Sequence, residues 1–136
     1  MIFSKIKKHF SIVLVRLFQK IELKKIREER NNTLSLVLDA FLDIKSNRIS
    51  KNDYSIFQDC EHYRAQLLKN NSLISYAVFG INEQLTVSQI CKKASSASIW
   101  GQFLFYLIKR QTEPHVLEIG TNLGMSGSYM LHALKN

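Results

Sequence analysis

Proline is nearly absent from this 136-residue chain, glycine is scarce and cysteine occurs twice. Each shortage removes a class of protein. One proline and five glycines in a sequence that is 46% hydrophobic exclude a disordered or low-complexity polymer and leave enough apolar material for one domain with a core. Cys60 and Cys91 lie far apart and form no C-x-x-C pair, so they indicate neither a disulfide framework nor a zinc site. Cys60-Glu61-His62 with Cys91 lacks the second close-spaced pair that a metal site requires, and no metal is expected. A reducing, cytoplasmic setting fits these thiols. No apolar run approaches the roughly 20 residues of a spanning helix. Ile12 to Val15 is broken at Arg16, and no small-residue cleavage site follows, so neither a membrane span nor a signal peptide is expected.

Acidic residues are also few: 11 stand against 19 lysines and arginines, for a net charge of +8. The excess is local. Nine basic residues and three acids precede Asn31, which puts +6 of the +8 in the first thirty positions. Such a segment attracts phosphate electrostatically, but no nucleic-acid recognition motif accompanies it, so no specific nucleic acid is expected as partner. Phe3, Ile6, Phe10, Val13 or Leu14, Leu17 and Ile21 recur at helical spacing with lysines between them. Residues 1–30 therefore predict a basic amphipathic helix. Core packing is its first reading, and a membrane surface or an acidic partner is the other.

Residues 31–98 predict a helical lead-in. Leu34 to Lys45 carries an apolar stripe behind Thr33 as cap, and Asp53 to Lys69 places Tyr54, Phe57, Cys60, Tyr63, Leu67 and Leu68 on one side. Leu73 to Phe79 reads as a short strand closed by Gly80. Thr86 or Ser88 caps a short helix ending near Ser95, and Ile99 to Arg110 offers Trp100, Phe103, Leu104, Leu107 and Ile108 for burial.

The most informative stretch is VLEIGTNLGMSG, residues 116–127. After Pro114, His115 to Ile119 predicts a short strand of the continuously apolar kind that parallel sheets cover on both faces. Glu118 ends it, a glycine loop follows, and Ser126 to Leu134 predicts a helix. Strand, glycine turn and helix make the opening of a βαβ unit, which holds a ligand at the carboxyl end of a sheet. Gly120 and Gly124 let backbone approach that ligand, and the helix start offers free N–H groups. The spacing is G-x-x-x-G, without the G-x-G-x-x-G of dinucleotide binders or the G-K-[ST] of a phosphate loop. His115 and His132 read as surface or half-buried histidines, and Tyr129 as core.

Val116-Leu117-Glu118-Ile119-Gly120-Thr121-Asn122-Leu123-Gly124-Met125-Ser126 resembles the first motif, E-x-G-x-x-x-G, of class I S-adenosylmethionine-dependent methyltransferases, in the form found in the O-methyltransferase-like branch. Upstream, Ile99-Trp100-Gly101-Gln102-Phe103-Leu104-Phe105 resembles the G-x-L-L helix that precedes the motif, and Val87 to Ala94 is similar to the short helix before it. Tyr63-Arg64 and Phe79-Gly80 fit landmarks of a bacterial subgroup. The resemblance implies an α/β, Rossmann-like fold whose cofactor-binding part begins at residues 99–136, with S-adenosyl-L-methionine as cofactor. It implies that Glu118 orients the methionyl end and that Gly120 and Gly124 form the loop under the cofactor. Thr121 and Asn122 line that loop, Asn122 standing where many relatives have glycine, and Ser126 helps hold the cofactor carboxylate. No catalytic residue follows from it, and the methyl acceptor is unspecified.

A complete domain of that family has seven strands, whereas 22 residues run from His115 to Asn136. One βαβ unit alone takes about thirty or more. The second strand and its ribose-binding acid are therefore not expected within these residues, and the fold is expected to be incomplete and mostly helical. The sequence reads as the front part of a methyltransferase, truncated and without activity by itself. The reading from another class is a small basic helical protein that binds an acidic partner or a membrane surface through residues 1–30.

Overall fold

The computed structural model describes residues 2–46, 48–77 and 80–135, with side chains from residue 10 onward. Their order is α1 (Ile2–Glu28), α2 (Asn32–Lys45), α3 (Lys51–Lys69), β1 (Leu73–Ser75), β2 (Gln84–Thr86), α4 (Val87–Ala94), α5 (Ser98–Lys109) and α6 (Met125–Leu134). The chain divides into two compact units, Met1–Asp39 and Ala40–Asn136, with the division inside α2.

In the first unit, α1 is one uninterrupted helix, as its periodicity predicts. Leu23 and Ile26 are half-buried, whereas Phe10, Leu14, Leu17 and Ile21 of the expected packing stripe are exposed. The side chains of Phe3 and Ile6 lie outside the described set. Helix α2 begins before Thr33: the Asn31 side chain, not that of Thr33, caps it by accepting the Leu34 N–H at 3.1 Å. Asparagine is a better cap than threonine, and its place here adds to the helix the two residues, Asn32 and Thr33, that a Thr33 cap would have excluded. Arg27 pairs with Asp39 at 2.6 Å.

The second unit is built on an aromatic centre. Phe57 of α3 meets Phe105 edge-on at 5.1 Å, Tyr106 at 5.9 Å and Tyr129 of α6 at 5.7 Å. Ser50 caps α3 through the Asp53 N–H, so the helix starts ahead of Asp53. Its buried arc is Asp53, Ile56, Phe57, Cys60 and Leu67. Tyr54 and Tyr63, expected on that side, fall on its two flanks and stay exposed. Buried Asp53 is held by Lys109 at 2.6 Å and by the Tyr106 hydroxyl at 3.5 Å.

Ahead of α4, Thr86 rather than Ser88 is the cap: Thr86 Oγ1 accepts the Gln89 N–H at 3.1 Å, and Gln89 Oε1 accepts the Thr86 N–H at 2.8 Å. Ser88 is buried instead and donates to the Leu68 carbonyl at 2.8 Å. Replacing Thr86→Ala should cost about 1 kcal/mol in urea unfolding, and Thr86→Ser much less, because the hydroxyl satisfies an N–H that the helix cannot. An unchanged midpoint for Thr86→Ala would dismiss the cap.

Two sequence expectations change here. The strand predicted over Leu73 to Phe79 is confined to Leu73–Ser75, with Val78 and Phe79 outside the described residues. The strand predicted over His115 to Ile119 is not formed. A strand exists only through a neighbour that takes its N–H and C=O groups. β1 pairs antiparallel with β2, Leu73 opposite Thr86 and Ser75 opposite Gln84, and no described segment pairs with residues 115–119. Leu117 and Ile119 are accordingly 86% and 91% exposed, not covered on two faces. The described residues are mostly helical, with this two-stranded antiparallel sheet.

On α5 the buried side chains are Phe105, Tyr106 and Ile108, together with Gly101. Trp100, expected inside, is 62% exposed; Phe103, Leu104 and Leu107 are half-buried against the core. The helix is apolar on both sides, and the side carrying Gly101 takes the core because α6 can come closest there.

Candidate functional site

The residues between Glu118 and Ser126 form a loop, with no helix until Met125. Gly120 has φ +81°, Asn122 +51° and Gly124 +73°, three left-handed positions within five residues. Glycine takes that conformation without penalty and asparagine at little cost, which accounts for the residue types at all three places. A Cβ at Gly120 or Gly124 would meet nothing within 4 Å, so the loop backbone is open on that side. The Gly124 N–H closes a turn on the Thr121 carbonyl at 2.9 Å.

The loop is fastened below. Leu123 packs against the core and Met125 is buried, while the Tyr63 hydroxyl donates to the Leu123 carbonyl at 2.9 Å. Thus α3, sixty residues earlier in the chain, fixes the loop's height over α6. Arg64 beside it pairs with Glu61 at 2.9 Å and donates to the Ser96 carbonyl at 2.7 Å. Glu61 also accepts the Tyr129 hydroxyl proton at 2.7 Å, which leaves Ser98, 3.1 Å from the same oxygen, as donor to it. Burial pushes the Tyr129 phenol well above its ordinary range; the Glu61 carboxylate adds to the rise and Ser98 opposes it. This network ties α3, the start of α5 and α6 together under the glycine turn. Of its members Tyr63 and Arg64 stood out in the sequence; Glu61 and Ser98 did not. The i,i+3 spacing of Glu61 and Arg64 was the available signal.

Two of the residues assigned to cofactor binding meet directly: the Ser126 hydroxyl donates to Glu118 Oε1. Glu118 Oε2 lies beside Gly127, where a Cβ would come within 3.1 Å of it. A carboxylate therefore rests at the start of α6, whose N-cap, Gly124, supplies no side-chain cap of its own. Anions are favoured there by about 0.3–1 kcal/mol, since the first N–H groups of a helix have no intrahelical acceptor. Gly120, Thr121 and Asn122 are exposed around this contact, and Gly124 is half-buried.

Chemically the arrangement offers an acceptor, Glu118, suited to an ammonium group; a hydroxyl and helix-start N–H groups suited to a carboxylate; and bare backbone between them. His115 is exposed, with Nδ1 3.0 Å from the Glu113 carbonyl, and His132 is half-buried. Cys60 and Cys91 are free and buried, and burial pushes the Cys60 thiol up, away from an activated nucleophile. Among the described residues no group of His, Cys, Asp and Glu is placed to hold a metal, and no helix is long and apolar enough to cross a membrane. Compared with protein-family models, curated proteins and solved structures, the chain matches none of them.

Proposed function

We propose that this chain carries the cofactor-binding edge of a class I S-adenosylmethionine-dependent methyltransferase of Rossmann-like α/β type, acting in the cytoplasm. What supports the reading above all is the contact between Glu118 and Ser126 across a loop with left-handed Gly120, Asn122 and Gly124, because it brings the assigned polar groups to one helix start. The open backbone at Gly120 and Gly124 and the donors at Ser126 fit the methionyl end of S-adenosylmethionine. The cofactor, when bound, supplies a sulfonium methyl that a positioned nucleophile takes with little acid or base help. Glu118 then receives the ammonium group, Ser126 and the α6 N–H groups receive the carboxylate, and Thr121 and Asn122 border the chain between them. Glu118 has to release Ser126 for both to engage.

By itself the 136-residue chain binds this cofactor weakly and transfers no methyl group. Leu117 and Ile119 are exposed rather than built into a sheet, so the surface under the adenosine half is not formed. Titrating the labelled protein with S-adenosylmethionine while following its amide resonances should move residues 120–127 at millimolar ligand, and Ser126→Ala should weaken the response severalfold. Loop resonances that stay still, or that answer equally to ATP, would remove the reading. Saturable micromolar binding by calorimetry would keep it but overturn the inactivity.

A further inference from the structure

Helix α1 leaves a continuous apolar surface uncovered. Phe10, Leu14, Leu17 and Ile21 follow at i, i+4, i+7 and i+11 and are all exposed, Phe10 at 65% and Leu17 at 68%, with Phe18 beside them. Scattered exposed apolar side chains are ordinary; a stripe three turns long is not. Leu23 and Ile26, the half-buried residues, lie on the opposite side of the helix, so the stripe is not the face that the rest of the first unit uses.

Charge decides among the possible covers. A second copy laid along the stripe would bring +6 against +6, and no helix among the described residues suits a membrane span. The two acids of α1, both toward its C-terminal end, are already engaged, Glu22 with Lys25 at 2.8 Å and Glu28 with Lys24 at 3.7 Å. Arg16 and Lys20 have no acidic partner among the described residues. The cover must therefore be anionic as well as apolar. An anionic bilayer offers both: its acyl boundary takes the apolar face of a helix lying in the surface, and long lysine and arginine stems beside that face reach back to the phosphates.

We infer that α1 is a membrane-surface helix, which lies in the face of an anionic bilayer with the Phe10–Leu14–Leu17–Ile21 stripe downward and Arg16 and Lys20 at the phosphate level. The inference is independent of the cofactor loop. Its test is co-sedimentation of the full chain with vesicles of phosphatidylcholine, with and without phosphatidylglycerol, at low and high salt. Binding to the anionic vesicles should exceed binding to neutral ones at least tenfold and fall with salt. Leu17→Asp, at an exposed position that leaves folding intact by circular dichroism, should lower the partition coefficient more than about tenfold. Arg16→Gln with Lys20→Gln should lower it roughly 30-fold. Equal binding to both vesicle types, or no loss in either variant, overturns the inference. So does a lipid-free dimer that Leu17→Asp dissociates, since the stripe would then belong to a second copy.

Discussion

Alanine at position 101 should lower the stability of the second unit by about 2–3 kcal/mol, a melting-point drop on the order of 10 °C. A Cβ built on Gly101 would stand 2.4, 2.6 and 2.8 Å from ring carbons of Tyr129. Real Cβ atoms do not come so close, and the ring cannot step aside. It is 1% exposed, rests on Phe57, and its hydroxyl is tied to Glu61 and Ser98. One of the three contacts is to Cγ, near the root of the side chain, so α5 and α6 themselves have to part. Against this, alanine is the better helix former by about 1 kcal/mol, which is why the net loss is smaller than the overpacking alone. The discriminating measurement is a double-mutant cycle. With Tyr129→Leu already in place, Gly101→Ala should cost little, giving a coupling of at least about 1 kcal/mol. Additive losses, or a Gly101→Ala protein that melts like the parent, would mean that the two helices do not meet at this glycine.

The same glycine explains where the sequence reading of the fold went astray. Of the side chains that hydrophobic periodicity turns inward on α5, Ile108 is buried, but Trp100 is exposed and Phe103, Leu104 and Leu107 are only half-buried. Burial followed closeness of approach instead: the face with no side chain at position 101 admits Tyr129, and Phe105 and Ile108 follow it inside. Helix positions themselves were legible to within a few residues, because a cap such as Thr86 and runs without proline act locally, although α2 and α3 start earlier than expected, behind Asn31 and Ser50. The strand at His115 to Ile119 was not, because a strand is a relation between two segments. An apolar run specifies burial only if a partner accepts its backbone groups, and among the described residues the only ladder joins β1 to β2.

The loop was legible for a related reason. Left-handed φ at Gly120 and Gly124 follows from residue type at single positions, and so does the start of α6 after them. The meeting of Glu118 with Ser126 is also local, eight residues apart across one turn. What holds the loop in place is not local. Tyr63 reaches the Leu123 carbonyl, and Glu61 reaches Tyr129, from a helix more than fifty residues upstream. The pattern of α3 singles out Tyr63 and Arg64 but not the partners that Tyr63 and Glu61 take, since those are chosen by how α6 lies across the core.

Alkali should unfold the second unit well before its backbone chemistry requires it, and two buried phenols are the reason. Burial, with the charges of Asp53 and Asp43 adding to it, pushes Tyr106 from 10.0 up to about 12. Tyr129 is raised in the same direction, by burial first and by Glu61. A phenol is neutral when protonated, so a raised folded value means that the fold holds the proton more tightly than the unfolded chain does. The stabilisation is complete below the unfolded value of 10.0 and is lost as pH climbs through the folded one. Across that window Tyr106 alone takes away up to about 3 kcal/mol, and Tyr129 adds to it, against a total stability of about 5–15 kcal/mol for an ordinary domain. Urea unfolding between about pH 9 and about pH 12 should therefore show a flat region followed by a steep fall. Tyr106→Phe removes its share of the fall. Tyr129→Phe does the same while costing about 1–2 kcal/mol at neutral pH, because Glu61 and Ser98 lose their shared partner. A double phenylalanine variant whose stability declines as steeply as the parent's would show that neither ring is held neutral by the core.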